Sequence, residues 1–226
     1  MGYLPDAVVN YLLLLGWALD EKTEYFTREE MVEKFSLGRV NPAPASFDPA
    51  KLMAFEDRYM QQVPLKQKTK LVLPFLQRAG LVSEPPSCDT GPQVSAILEA
   101  AGDRVKVAGD ILEFEDFFTP DDALTYDEKA YEKRLVKASD AVELLGKWKA
   151  RMEQVEPFDA EHLDGELHAF VEDEGIKIGQ IIHALRVAVT GKAVGFGMFD
   201  TLAILGKERS VRRIDRTLER LAETSL

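Results

Sequence analysis

The chain has 226 residues with 39 acidic and 28 basic side chains, a net charge of −11, and 46% apolar against 30% charged residues. That is the make-up of an ordinary globular protein long enough to bury real cores, and its negative balance excludes indiscriminate binding to polyanions. No apolar run reaches the roughly 18–20 residues needed to span a bilayer, no secretory leader is visible, and Cys88 alone excludes a disulfide framework or thiolate cage, so no membrane partner is expected and the cytosol is the expected compartment.

Apolar spacing is helical almost throughout and strand alternation is nearly absent, which predicts an all-α fold. "VVNYLLLLGWAL" (Val8–Leu19) reads as a buried helix that opens with Pro5 and Asp6 in first-turn positions and stops at Gly16. "TREEMVEKF" has Thr27 and Glu30 at capping-box spacing, with Met31, Val32 and Phe35 expected on one face. The stiff connector "NPAPASFDP" (Asn41–Pro49) follows, and then "DPAKLMAFEDRYM" with Asp48 as N-cap and Pro49 at the first helical position.

"PLKQKTKLVLPFLQRAGLV" predicts a helix ending near Gly80, and "SEPPSCDTGP" (Ser83–Pro92) a loop. "QVSAILEAAGDRVKVAGDILEFEDFF" reads as two short helices broken at Gly102, and "TPDDALTYDEK" as a second polar connector. "KAYEKRLVKASDAVELLGKWKARM" reads as one long amphipathic helix, and "DAEHLDGELHAFVEDEG" as a helix ending at Gly175. The expectation is an all-helical array cut by connectors near residues 62 and 126.

Few residues offer chemistry. His162 and His168 are six apart and on different helix faces, which excludes an i, i+4 zinc pair. Cys88 sits in a Pro/Ser loop without a histidine or basic neighbour, so it is no nucleophile. "GFGMFD" (Gly195–Asp200) imitates the start of a dinucleotide fingerprint, but Asp200 holds the third glycine position and no strand precedes it. The sequence contains no phosphate loop, serine elbow or supported acid pair, so the chain offers no active site of its own and needs no cofactor.

Charge is unevenly spread. Residues 177–226 carry nine Lys/Arg against five Asp/Glu, a balance of +4, whereas residues 1–176 stand at −15. A basic end on an acidic body reads either as a local anion site or as a basic solvated helix. In "ALRVAVTGKAVGFGMFDTLAILGKERSVRRI", the stem of Arg186 runs between Leu185 and Val187 and frees its guanidinium to fork onto an acceptor. Thr190-Gly191 ends that helix, Gly195 and Gly197 let the loop backbone pass close to a flat or bulky group, and Met198 and Phe199 open the next helix. Phe199 offers either a stacking face for an unpaired RNA base or core packing, the latter shared with Met198. Arg209, Arg212, Arg213 and Arg216 fall within a few turns, a spacing suited to phosphates.

Taken together, these segments are similar to the C-terminal half of bacterial glutamyl-tRNA synthetases. "LRVAVTG" with "FDTLAILGKERSVRRI" resembles the end of that family, "GYLPDAVVNYLLLLGW" the segment after its Lys-Met-Ser-Lys-Ser type loop, and "FSLGRVNPAPASFDPAKL" its stem-contact connector and helix. The resemblance covers the whole chain in order and implies three parts: the end of a stem-contact fold (1–62) and two helical anticodon-binding domains (63–126 and 127–226). It implies that the catalytic Rossmann domain, which uses ATP and Mg²⁺, is missing, so that this chain alone is inactive and its partners are the catalytic half and the tRNA(Glu) anticodon stem-loop. It is expected to be a monomer.

By the same resemblance Arg186 falls at an arginine that reads an anticodon base, and Met198 and Phe199 at an apolar pair that packs against splayed bases. Arg104, in "AGDRVKV", falls at an arginine that recognises the third anticodon base in glutamate-specific members. Two positions depart from the family pattern: Glu56 stands where Asn is usual, with Tyr59 kept, and Phe196 stands where many members have Pro. The rival reading is a helical interaction module or split-gene subunit that does not bind RNA.

Overall fold

The computed structural model describes residues 1–138 and 140–224, and among them there are helices and turns with no β-strand, only an isolated antiparallel bridge between Trp17 and Val40. The all-α class expected from the periodicity is what folds. Ser139, within the long helix expected over 129–152, and Ser225 and Leu226, at the end of the last expected domain, lie outside the described residues. The chain forms two compact units, Met1–Glu113 and Phe114–Leu226.

In the first unit, helix α1 (Pro5–Leu14) starts as predicted, with Pro5 at its first position and Asp6 in its first turn. It is shorter and less buried than expected. Val9 and Leu12 face outward, and Trp17 leaves the helix to bridge Val40. Asn10, the polar residue inside that apolar run, is fully buried and explains itself: its side chain donates to the Glu24 carbonyl and accepts from the Phe26 amide and the Tyr59 hydroxyl.

Helix α2 (Arg28–Lys34) has the predicted capping box, Thr27 Oγ1 accepting from the Glu30 amide at 3.1 Å and the Glu30 carboxylate from the Thr27 amide at 2.8 Å. Of the three residues expected on one face only Met31 is buried. Val32 and Phe35 are exposed, because a seven-residue helix turns only one narrow face inward. Helix α3 (Pro49–Gln62) is capped by Asp48 and packs on α1.

Glu56 of α3 is fully buried, its Oε2 accepting from the Leu4 amide at 2.9 Å, while nothing among the described residues donates to Oε1. Burial pushes its carboxyl up to about 7, and the Leu4 hydrogen bond offsets that only in part.

Helices α4 (Leu65–Arg78) and α5 (Thr90–Ala101) pack together, with Gly80 (φ +72°) following α4 and the 83–92 loop giving way to α5 at Thr90. Gly102 ends α5 as predicted, but no second α-helix follows. Residues Gly102–Arg104 and Ala108–Phe117 wind as 3-10 turns, and Phe114 leaves helical geometry (φ −104°, ψ 26°).

In the second unit the long helix expected from Lys129 breaks. Helix α6 (Glu128–Tyr131) runs into a π-helical turn, Glu132–Val136, where the Lys137 amide donates five residues back to the Glu132 carbonyl, and α7 restarts at Ala141 (Ala141–Met152). Amphipathic spacing survives such a break, so the sequence pattern did not register it. Helices α8 (Ala160–Asp173), α9 (Ile178–Thr190), α10 (Met198–Leu205) and α11 (Lys207–Thr224) complete the unit. Helices α7, α9 and α11 pack pairwise, and α8 joins through the fully buried Trp148 ring meeting Phe170 edge-on at 5.6 Å. Gly175, as predicted, closes α8 in the left-handed region.

Candidate nucleic-acid interface

The stretch from Arg186 to Phe199 is a helix end, a tight loop and a helix start. Helix α9 ends at Gly191 (φ +73°), where only glycine serves twice over: the conformation is left-handed, and a Cβ there would run into the Thr125 carbonyl. The Gly191 carbonyl accepts from the Asp127 amide at 2.8 Å, so the loop is braced from outside. Lys192 then anchors it by an ion pair with Asp116, which is only 5% exposed. At the far side of the loop, an added Cβ on Gly195 would stand 2.9 Å from Nη1 of Arg186. The absence of a side chain there is what lets the guanidinium lie against the loop.

Arg186 is half-buried at this junction. Phe196, in place of the proline common in the resembled family, is 4% exposed and stacks on Phe117 (5.2 Å between ring centres, 14° between planes) with Phe114 beside it at 5.5 Å. Aromatic packing therefore fixes the loop without a proline's backbone restriction. In α10, Met198, Thr201, Leu202 and Leu205 are all buried, the i, i+3, i+4, i+7 face of a core helix. Met198 is 3% exposed and packs in the core. Phe199, about a quarter-turn around, is half-buried and keeps one side toward solvent, next to the exposed Asp200.

Four of the five arginines of α11, Arg209, Arg212, Arg213 and Arg216, reach the 116–124 segment. Arg213 is fully buried: Nε donates to Asp121 Oδ1 at 2.8 Å, Nη1 to the Val189 carbonyl at 2.6 Å, and Nη2 to the Asp116 and Thr119 carbonyls at 2.8 and 3.0 Å. Arg209 donates to Asp121 and to the Phe117 and Thr119 carbonyls, and Arg216 to the Asp121 and Leu124 carbonyls. The segment 116–124 is a connector whose backbone acceptors need donors, and α11 supplies them from one face. Burial works to raise the Asp121 carboxyl, but hydrogen bonds from Arg213, Arg209 and Arg212 outweigh it and hold the group below the ordinary range. These arginines tether that loop. Only Arg212, with a side chain 59% exposed, keeps an open guanidinium while touching Asp121.

Arg104 lies exposed on the 3-10 turn of the first unit. Sequence reasoning takes His183 for a surface or capping histidine and does not single out Lys133 or Arg134. Lys133 and Arg134 stand on the π-helical turn that packs against α9, and His183 is exposed on α9, one turn before Arg186. Partial burial lowers the His183 pKa, as do the charges of Arg134, Arg186 and Lys133. The other histidines have local partners on α8: His162 meets Asp159, its N-cap, and His168 meets Asp164 one turn earlier within the helix. Among the described residues no three His, Cys, Asp or Glu side chains gather as metal ligands, and no helix is long and apolar enough to cross a membrane.

Residues 67–218 match the family described as "Anticodon binding domain". A glutamate–tRNA ligase of Roseiflexus castenholzii is 40% identical over 221 residues, covering 98% of this chain and 43% of its own length; that of Herpetosiphon aurantiacus is 37% identical over the whole chain and 46% of its own. Among solved structures, a glutamate tRNA ligase from Elizabethkingia meningosepticum in complex with its amino acid superposes with a TM-score of 0.84 at 25% identity, covering 97% of this chain and 42% of that one. The chain thus spans less than half the length of the relatives it matches.

Proposed function

Because the chain belongs to the anticodon-binding domain family, we propose that it is the tRNA-gripping part of a glutamate–tRNA ligase and holds the anticodon stem-loop of tRNA(Glu). One observation carries this reading: Arg186 is braced against a glycine loop whose far end presents a half-open Phe199. A guanidinium fork gives directional recognition of a base edge, and a ring face beside it holds an unstacked base whatever its identity. Arg104 adds a second base contact from the first unit, and Arg212 meets phosphate. The division into 1–62, 63–126 and 127–226 describes how the family's stem-contact and anticodon-binding parts map onto the chain.

The remainder of the enzyme activates glutamate with ATP and Mg²⁺ and transfers it to the tRNA 3′ end. This chain supplies specificity and no chemistry, acts as a monomer in the cytosol, and partners the catalytic half. Filter binding with tRNA(Glu) tests it. Micromolar affinity that falls when the anticodon is altered is the expected result, and Arg186→Ala lowers that discrimination by roughly 1–3 kcal/mol while leaving the salt dependence nearly unchanged. Equal retention of every tRNA, or of none, overturns the reading in favour of a protein-interaction module.

A further inference from the structure

Several cations of the second unit are tied to carboxylates. Lys137, Lys147, Lys149, Arg151, Lys192 and Lys207 each meet a carboxylate, and Arg209, Arg212 and Arg213 share Asp121. Lys129, Lys133, Arg134, Lys177 and Arg216 do not: among the described residues none of these forms an ion pair, although the chain has 39 carboxylate side chains to offer, and of them Lys133 and Arg134 are neighbours on one turn. Lys133 is exposed and Arg134 half-buried, both on the π-helical turn packed against α9, where His183 is exposed one turn from Arg186. π-helical turns recur at functional sites because the extra residue redirects side chains that a regular helix would stagger.

In a protein of net charge −11, cations left without carboxylates on one face mark a place for an external anion. We infer that Lys133, Arg134 and His183 seat the sugar–phosphate backbone of the nucleic-acid strand whose base meets Arg186, an inference that rests on the RNA reading above. The depression of the His183 pKa fits this placement. Burial is its main cause, and the charges acting with it are Arg134 and Lys133 from the π turn and Arg186 from α9 itself, all positive. A phosphate among them cancels the repulsion.

The division of labour is that Arg186 discriminates and the π-turn pair attracts. Phosphate contacts give affinity and salt dependence without sequence preference, and base contacts give the reverse.

The test uses the full chain, the double variant Lys133→Ala/Arg134→Ala and the charge-keeping Lys133→Arg/Arg134→Lys. Binding of tRNA(Glu) is followed between roughly 50 and 200 mM salt; the double alanine variant lowers the slope of log affinity against log salt by roughly 1.4, about 0.7 for each single-strand phosphate contact. The charge-keeping variant restores the slope, and the affinity ratio between cognate and altered anticodons stays constant in both. A second arm titrates inorganic phosphate while the His183 ring is followed by NMR: its pKa rises in the wild type and stays put in the double alanine variant. An unchanged slope in an alanine variant that still binds tRNA overturns the inference, as does a His183 resonance indifferent to phosphate. So does polyglutamate binding to the same residues as tightly as RNA, which makes the patch a protein-docking site. Failure of the wild type to bind any tRNA sinks the RNA reading itself, a result visible before any variant is made.

Discussion

Two sets of basic residues in the second unit behave oppositely in the fold. The set on α11, Arg209 to Arg216, is dense and regularly spaced, yet its guanidiniums are turned onto the carbonyls of 116–124 and the single carboxylate of Asp121. The set at Lys133 and Arg134 is sparse and sits in an acidic stretch, yet it has no carboxylate of its own among the described residues. The difference shows that an arginine's availability is decided by the acceptors near it. A connector full of unpaired carbonyls recruits every donor within reach, since leaving a buried acceptor unmet costs about 1–3 kcal/mol.

The sharpest way to break this comparison is Arg213→Ala. Removing a fully buried guanidinium leaves Asp121, Val189, Asp116 and Thr119 without its hydrogen bonds. Losing one partner of a buried ion pair costs about 3–5 kcal/mol, and denaturant unfolding should report a loss of that size. RNA affinity, measured where the variant is still folded, should be unaffected. A variant of wild-type stability that binds RNA poorly would instead make Arg213 a ligand-facing residue.

The second prediction moves to a buried charge with no counter-ion. Glu56 ionises near 7 in the folded chain against 4.5 for an ordinary glutamate. An acid whose folded pKa is raised binds its proton more tightly folded than unfolded, so stability is greatest at low pH within this window. It declines as pH rises from 4.5 through 7 and levels off above. The span is at most about 3 kcal/mol, at 1.36 kcal/mol per pKa unit. Glu56→Gln should flatten that decline and stabilise the protein at pH 8, measured by unfolding across the range. Equal pH profiles for the two proteins would show that Glu56 is hydrated and not responsible.

Much of this was legible from the residues. Helix starts at Pro5, Thr27 and Asp48 and stops at Gly102, Gly175 and Gly191 are local devices, written in a few adjacent residues, and they stand where the spacing put them. The i, i+3, i+4, i+7 pattern through Met198 also carried the signal that Met198 is core and Phe199 is not. What spacing along the chain does not contain is the distant partner. The π-helical turn keeps an amphipathic pattern, and the tethering of Arg213 depends on carbonyls about a hundred residues earlier. The unpaired state of Lys133 and Arg134 is likewise a property of neighbours, invisible in a sequence rich in both signs of charge.

The smallest expected effect sharpens the comparison from inside α11. Arg212 touches the same Asp121 carboxylate as Arg213, at 3.0 Å, but its side chain is 59% exposed. An ion pair open to water loses most of its worth to solvent screening and to the entropy of holding a long side chain, so Arg212→Ala should cost under about 1 kcal/mol in stability, with the loss shrinking as salt is added. Being exposed, it should also lower the salt slope of tRNA binding by roughly 0.7, a single phosphate's share. If Arg212→Ala instead destabilises as much as Arg213→Ala, the tether acts as one indivisible network. Burial would then no longer be what separates a structural arginine from an available one.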